Sequence, residues 1–474
     1  MIAPNGYFNK GEIKKVIIEA NKTIEVSLGN KEQLGNVVLS KMGKDFGTEM
    51  PNDSYKLEGA IYGIYNENDE KITTITTDKF GKATSEKIKL GKYYALEEKA
   101  PEGYLINKEK IPFELKYVGQ TVEVTSTSIT HKDTEQKGKA ILTKEDEKIG
   151  SIPQGSAKLD GAVYELRKSN NDELVEIVTI KGGKAKVENL YLGEYYWIEK
   201  KVPEGYLLDI TKHYFEISYA GENIETSVKE TIVKEKVITG GFDLIKFGEY
   251  DWKEKIKNIL KTKNKEIKPL KDVEFSVFSD TIVKLVKTGY TDEKGYLKFE
   301  GLPYDTYTVK ETKTPEGYIA AKDFKVIIKE QNEVHNLKIK NELIKGGAKL
   351  IKTDVVTGEP LPNAGIRILD EDKNILIEGK TDDKGVFYFN KLSKGIYYFQ
   401  EYEAPKGYQI DETPMKFEIK ENGEIIIFKM TNKKIEKTEL PKTGETNELI
   451  FYGIGTTLLG LLLISIKSKK KIEK

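Results

Sequence analysis

Apolar and polar residues alternate along most of this chain in short runs, and the runs recur. GKYYALEE at 91–98, GEYYWIEK at 193–200, YTVKET at 307–312 and GIYYFQEY at 395–402 each place every second side chain on one face, the period of a strand. Upstream of each lies another strand pattern, L-x-[GDN]-[AV]-x-[YFI]: LEGAIY from Leu57, LDGAVY from Leu159, LKDVEF from Leu270 and LPNAGI from Leu361. Between the two stands a hairpin signal, TDKFG at 77–81, TDEKG at 291–295 and TDDKG at 381–385, replaced by TIKGG at 179–183 in the second case. Asp opens such a turn and Gly takes its positive-φ position. After each tyrosine-rich strand comes one phrase: EEKAPEGY ending at Tyr104, KKVPEGY at Tyr206, TKTPEGY at Tyr318 and YEAPKGY at Tyr408.

Repetition at this spacing, about one small β domain, predicts a tandem array. Short strands, regular turns and almost no helical period predict an antiparallel β-sandwich for every repeat, so the fold class is all-β. The expected domains are 36–137, 138–239, 240–345 and 346–434. Residues 1–35 read as the closing half of a further domain: IAPNGY at 2–7 matches the phrase, and VIIEANKTIEVSLGN matches the strands that follow it. The chain is therefore expected to be an N-terminally truncated fragment, in keeping with a start that lacks a signal peptide.

Two segments break the strand pattern. Trp252, Ile256, Ile259 and Leu260 lie at helical spacing in an insertion near 248–268, which predicts a short amphipathic helix packed on its own sandwich. At the other end, 435–474, LPKTG at 440–444 precedes an uncharged apolar run from Leu449 to Ile466 and then Lys467, Lys469, Lys470 and Lys471. As a helix the run would span roughly 27 Å, enough for a bilayer core, with the lysines holding its end in the cytoplasm.

Composition narrows the function. The 474 residues carry 77 basic and 77 acidic side chains, so nothing points to nucleic acid. Cysteine is absent, which removes disulfides as the staple of small exported domains. His131, His213 and His335 fall in separate domains and support neither a metal site nor a Ser/His triad. DEDKN at 370–374 has Ile375 and Thr381 where a calcium loop needs Gly and Glu, so it reads as a hairpin turn. No cofactor and no metal is expected.

The order LPKTG, apolar run, lysines resembles the cell-wall sorting signal of Gram-positive surface proteins. The resemblance implies a secreted protein, membrane-held at first, that a sortase cuts between Thr443 and Gly444 and joins through Thr443 to peptidoglycan; Leu440, Pro441 and Lys442 complete the motif. The repeats resemble the Cna-B or SpaA-type prealbumin-like domains of adhesins and pilins, from about residue 36 to 434. Many members of that family tie a Lys on the first strand to an Asn or Asp on the last by an intramolecular isopeptide bond, assisted by a Glu four residues before the Pro of the phrase. Carried over, the lysines are Lys41, Lys144, Lys246 and Lys352, and the glutamates Glu97, Glu199, Glu311 and Glu401. The acceptors are Asp133, Asn341 and Asn432.

Asn30, Asp133 and Asn341 each precede the next Lys by eleven residues, an interval that reaches Glu235 in the second domain. The second domain is therefore expected to lack the bond, leaving Lys144 and Glu199 unused. Burial would favour a neutral amine on each Lys and a protonated Glu able to polarise the acceptor, so that folding alone drives one reaction per domain.

The implied function is a wall-anchored stalk of cross-linked sandwiches that supports adhesion, not an enzyme. A host extracellular-matrix or cell-surface ligand would be met by a region upstream of this chain. The alternatives are a minor or basal subunit of a sortase-assembled pilus, since no YPK-like motif is present, or the spacer of a wall-anchored enzyme.

Overall fold

A computed structural model describes residues 2–251, 254 and 267–436. The LPKTG motif, the apolar run and most of the expected helical insertion lie outside the described residues. Among the described residues no helix is long and apolar enough to cross a membrane. The chain divides into two compact units, Met1–Leu343 and Ile344–Lys474. Three two-sheet sandwiches lie in the former and one in the latter.

Each sandwich follows one plan. Its first strand is central in one sheet, between the last strand and the strand after the hairpin turn. The first strands are Leu34–Gly43, Lys137–Asp146, Thr239–Gly248 and Lys345–Asp354. The last are Val124–Asp133, Thr226–Glu235, Val334–Leu343 and Ile425–Asn432. The facing sheet has four strands, ordered in the first domain Lys71–Thr76, Ile61–Asn66, Gly91–Lys99, Ile111–Leu115. Its equivalents in the other domains keep that order. Both strand patterns read from the sequence, the LEGAIY type and the tyrosine-rich type, are neighbours in this facing sheet.

Two expectations need correction. The sandwiches are not wholly antiparallel, because first and last strands pair in parallel in every domain. Alternation reveals a strand's faces but not the direction of a partner some ninety residues away, and the intervening sheet supplies the long connection that parallel pairing needs. In the second correction, Tyr7–Phe8 pairs with Lys31–Glu32, but residues 9–30 hold no strand. No neighbouring strand is offered to them among the described residues, and Ile13 and Ile18 are 96% and 85% exposed. Asn30 is exposed as well.

Within the first unit the sandwiches are closely joined. Tyr55 of the first domain lies in one apolar cluster with Leu192 and Tyr195 of the second. Its hydroxyl accepts the Leu192 N–H at 2.8 Å and donates to the Gln136 carbonyl at 2.9 Å. At the next joint the positions of Tyr55 and Leu192 are taken by Ala157 and Tyr304. There Tyr304 packs against Ala157, Leu159, Tyr206 and Val237, and its carbonyl accepts the Ser156 N–H at 3.0 Å.

Candidate functional site

The alternating pattern of the first strand turns a lysine into the core. In the first domain Val37, Leu39 and Lys41 all point inward, and Lys41, Lys144, Lys246 and Lys352 are at most 1% exposed. The hairpin turn fixes each at the backbone. The N–H groups of Lys41, Lys246 and Lys352 donate to the carbonyls of Gly81, Gly295 and Gly385 at 2.7 Å, and Lys144 to Gly183 at 2.8 Å. In the aspartate-led turns Asp78, Asp292 and Asp382 each accept two backbone N–H groups, closing the loop that presents that glycine.

The glutamates come from the facing sheet, where the tyrosine-rich strand carries a β-bulge at the residue after each glutamate, Glu98, Lys200, Thr312 and Tyr402, opposite the end of the LEGAIY-type motif. The register shifts at Ile61/Tyr62, Val163/Tyr164, Glu274/Phe275 and Gly365/Ile366. The next residue is then opposite the glutamate: Tyr62 opposite Glu97, Tyr164 opposite Glu199, Phe275 opposite Glu311, Ile366 opposite Glu401. Bulges commonly serve to redirect side chains in this way. One carboxylate oxygen is held by a backbone N–H ten residues on, beyond the PEGY turn. These N–H groups are Asn107, Asp209, Ala321 and Asp411, at 2.8–3.0 Å. The tyrosine of the turn seals the strand's end, Tyr206 donating to Asp146 at 3.0 Å and Tyr408 to Asp354 at 2.9 Å.

Every predicted lysine therefore meets its predicted glutamate. In the first domain Lys41 Nζ is 2.7 Å from Glu97 Oε1 and in contact with Asp133. In the third, Lys246 donates to Asn341 Oδ1 and lies 2.9 Å from Glu311, while Asn341 Nδ2 donates to Glu311 Oε1 at 2.6 Å. In the fourth, Lys352 Nζ is 3.2 Å from Glu401 Oε2, and Asn432 Nδ2 is 3.0 Å from both carboxylate oxygens. Lys352 Nζ and Asn432 Oδ1 are buried without a hydrogen-bond partner. The second domain, expected to be unused, brings Lys144 Nζ to 2.8 Å from Glu199 and 2.6 Å from Glu235.

Burial shifts four of these groups, Lys246, Lys352, Glu199 and Asp133, toward their neutral forms. It lowers the pKa of Lys246 and Lys352, against the raising effect of the paired glutamate. Burial also raises Glu199, with Lys144 opposing, and raises Asp133 to about 7, with Lys41 opposing. A neutral amine touching an acid or amide carbonyl, beside a carboxyl that can carry a proton, is the arrangement that amide formation needs.

Three residues of these sites went unrecognised as such in the sequence. Tyr62 donates to Glu97 at 3.0 Å and its oxygen lies 2.7 Å from His131 Nδ1. With Tyr62 donating to Glu97, its one hydroxyl proton is used and His131 Nδ1 is the donor to Tyr62. Tyr164 donates to Glu235 at 2.8 Å. The signal for the two tyrosines was the last letter of the strand motif, a tyrosine in two domains and apolar in two. Glu97, His131 and Asp133 present ligand atoms within 4.8 Å of one another, but the Lys41 amine already occupies the two carboxylates.

A model of the SpaA prealbumin-like fold domain matches residues 49–130, 138–232, 242–343 and 346–434. The chain belongs to this family. A model of the LPXTG cell wall anchor motif matches residues 432–474. The SpaA-type array is thus that of a secreted, cell-wall-anchored Gram-positive surface protein. It is 36% identical over 99 residues to the trypsin-resistant surface T6 protein of Streptococcus pyogenes, covering 21% of this chain and 18% of that one. It is 24% identical over 401 residues to serine-aspartate repeat-containing protein F of Staphylococcus epidermidis, covering 75% and 23%. The chain thus spans about a fifth of the length of these curated relatives. Among solved structures, the Bacillus anthracis TIE protein is 27% identical with a TM-score of 0.44, covering 80% of this chain and 69% of that one.

Proposed function

We propose that this SpaA-type array is a covalently braced stalk, in which Lys41 is joined to Asp133, Lys246 to Asn341 and Lys352 to Asn432. The observation that carries the reading is the third domain's triad, where one carboxyl, Glu311, touches both the attacking amine and the leaving amide nitrogen. Glu311 takes a proton from Lys246 Nζ as it attacks Asn341 Cγ. It returns that proton to Nδ2, the Cγ–Nδ2 bond breaks, and ammonia leaves. Glu401 does the same in the fourth domain. In the first, Glu97 assists the loss of water from Asp133. No turnover follows, so these glutamates are single-use groups and the chain is structural rather than enzymatic.

Bracing matters because of the parallel pairing. Tension applied at the two ends of a domain shears the first strand along the last, and a bond near the end of that pair blocks the path. The barrier to forced unfolding and proteolysis rises with it. A streptococcal relative is by its name trypsin-resistant. Thr443 would carry the link to peptidoglycan after sortase cleavage, and a host ligand, where one is bound, would be met outside this chain.

Peptide mapping of the denatured, protease-digested full chain tests this. Branched peptides joining Lys246 to Asn341 and Lys352 to Asn432, each lighter by one ammonia, are expected, together with a Lys41–Asp133 peptide lighter by one water. Recovery of all three lysines in linear peptides alone would overturn the reading.

A further inference from the structure

The second domain has the same constellation as the others, with a glutamate where they have Asn or Asp. Glu235 stands opposite Asp146 in the parallel ladder, the place held by Asp133 opposite Gly43, Asn341 opposite Gly248 and Asn432 opposite Asp354. It is 1% exposed, and the extra methylene still leaves its carboxyl 2.6 Å from Lys144 Nζ.

The residue opposite the assisting glutamate varies with the acceptor. Where the acceptor is an amide the residue is apolar, Phe275 or Ile366; where it is an acid the residue is Tyr62 or Tyr164. An amide acceptor brings its own donor, since Asn341 and Asn432 give an N–H to Glu311 and Glu401. An ionised carboxyl has none. A tyrosine hydroxyl is the donor in both acid sites: Tyr62 donates to the assisting Glu97 at 3.0 Å, and Tyr164 donates to the acceptor Glu235 Oε1 at 2.8 Å and accepts from Lys144 Nζ at 3.3 Å. Left as an ion pair, the site would bury two carboxyls against one ammonium, and Glu235 Oε2 has no hydrogen-bond partner. Such an excess of like charge is costly in an apolar interior. Condensation removes the ammonium and one of the two carboxyls, leaving Glu199 as the one carboxyl of the site.

We propose that the second domain carries a fourth cross-link, between Lys144 Nζ and Glu235 Cδ, with the Tyr164 hydroxyl donating a hydrogen bond to the acceptor carboxyl. The Nζ–Cδ bond forms and one Cδ–O bond breaks. The oxygen leaves as water with one proton from the amine and one from the carboxylic acid, and Glu199 relays the amine's proton. The inference rests on the reading above, but its failure is separately visible.

The test is peptide mapping of the full chain. Trypsin should join Ala140–Lys148 to Glu235–Lys236, one water lighter than the two peptides summed. Glu235→Gln should yield the identical branched peptide through loss of ammonia. Tyr164→Phe should lower the branched fraction at least about tenfold, the scale of losing one hydrogen bond to a charged group, and Tyr164→Phe/Glu235→Gln should restore it. Lys144 found only in linear peptides, while the Lys246–Asn341 branch is present, would overturn the proposal and leave the stalk reading standing. Absence of every branch would overturn both. A Tyr164→Phe chain that cross-links as fully and as fast as wild type would remove the role given to the hydroxyl.

Discussion

The main-chain N–H of Lys246 donates to the carbonyl of Gly295 at 2.7 Å, so the hairpin turn grips the strand at the residue whose amine is aimed. Gly295 has φ +73° and sits against the Lys246 carbonyl, where a Cβ would meet the carbonyl carbon at 3.2 Å and its oxygen closer still. Gly295→Ala should destabilise the third domain by about 1–3 kcal/mol, from the left-handed conformation and the forced shift. Peptide mapping should show less Lys246–Asn341 branch and an unchanged Lys352–Asn432 branch.

Glu311→Ala should abolish the third domain's ammonia loss while leaving that of the fourth intact, and Glu401→Ala the converse. Each variant domain should be digested by trypsin faster than its wild-type form. A Glu311→Ala chain that still loses ammonia at Asn341 would show that the proton travels by another route.

The first domain should weaken in acid. Burial holds His131 neutral, its pKa lowered from the ordinary 6.5 to about 4, with Lys41 and Lys44 adding to the effect. Between those values the unfolded chain binds the extra proton, so stability falls as pH drops from about 6.5 toward 4. A free Asp133, raised to about 7 by burial, would act oppositely, its folded state gaining protons first and stability rising on acidification through the same range. Once its carboxyl is an amide, only the His131 effect remains. Native-state hydrogen exchange should show protection in the first domain declining from pH 7 to 4.5, and His131→Phe should flatten the decline. Constant protection in the wild-type chain would contradict the assignment.

Thr443→Ala should leave the protein in the membrane fraction. Covalent recovery of this variant with purified peptidoglycan would exclude Thr443 as the linked residue.

The assisting glutamates were legible because each stands four residues before the Pro of a phrase that stands out by itself, whereas the lysines and the Asn and Asp acceptors came from the family resemblance, supported by the interval of eleven between an acceptor and the next lysine. Tyr62 and Tyr164 were hidden because a tyrosine in an alternating strand reads as core filling; only the register set by the bulge in the neighbouring strand shows that each stands opposite a carboxyl. Glu235 was discounted because the family's acceptors are Asn or Asp, and only its 2.6 Å contact with Lys144 brings it back as a candidate. The parallel pairing of first and last strands was out of reach, since alternation carries no sense of direction between distant partners. The strands expected in 16–30 failed for a related reason: apolar alternation at Ile13 to Val26 states a capacity to pair, and pairing also needs a neighbour.

Where the first domain offers a tyrosine, Tyr55, its successor offers Leu192; where the second offers Ala157, the third offers Tyr304. At each of these two joints this pair of equivalent positions thus holds one tyrosine, contributed from alternate sides. Exchange the order of these modules and two rings would collide at one seam or a void would open at another. The repeats are alike enough to have arisen by duplication, yet their seams act as keyed couplings that specify which module follows which. A few contact residues at these two joints thus give the first three domains a preferred order and stop them from being interchangeable beads.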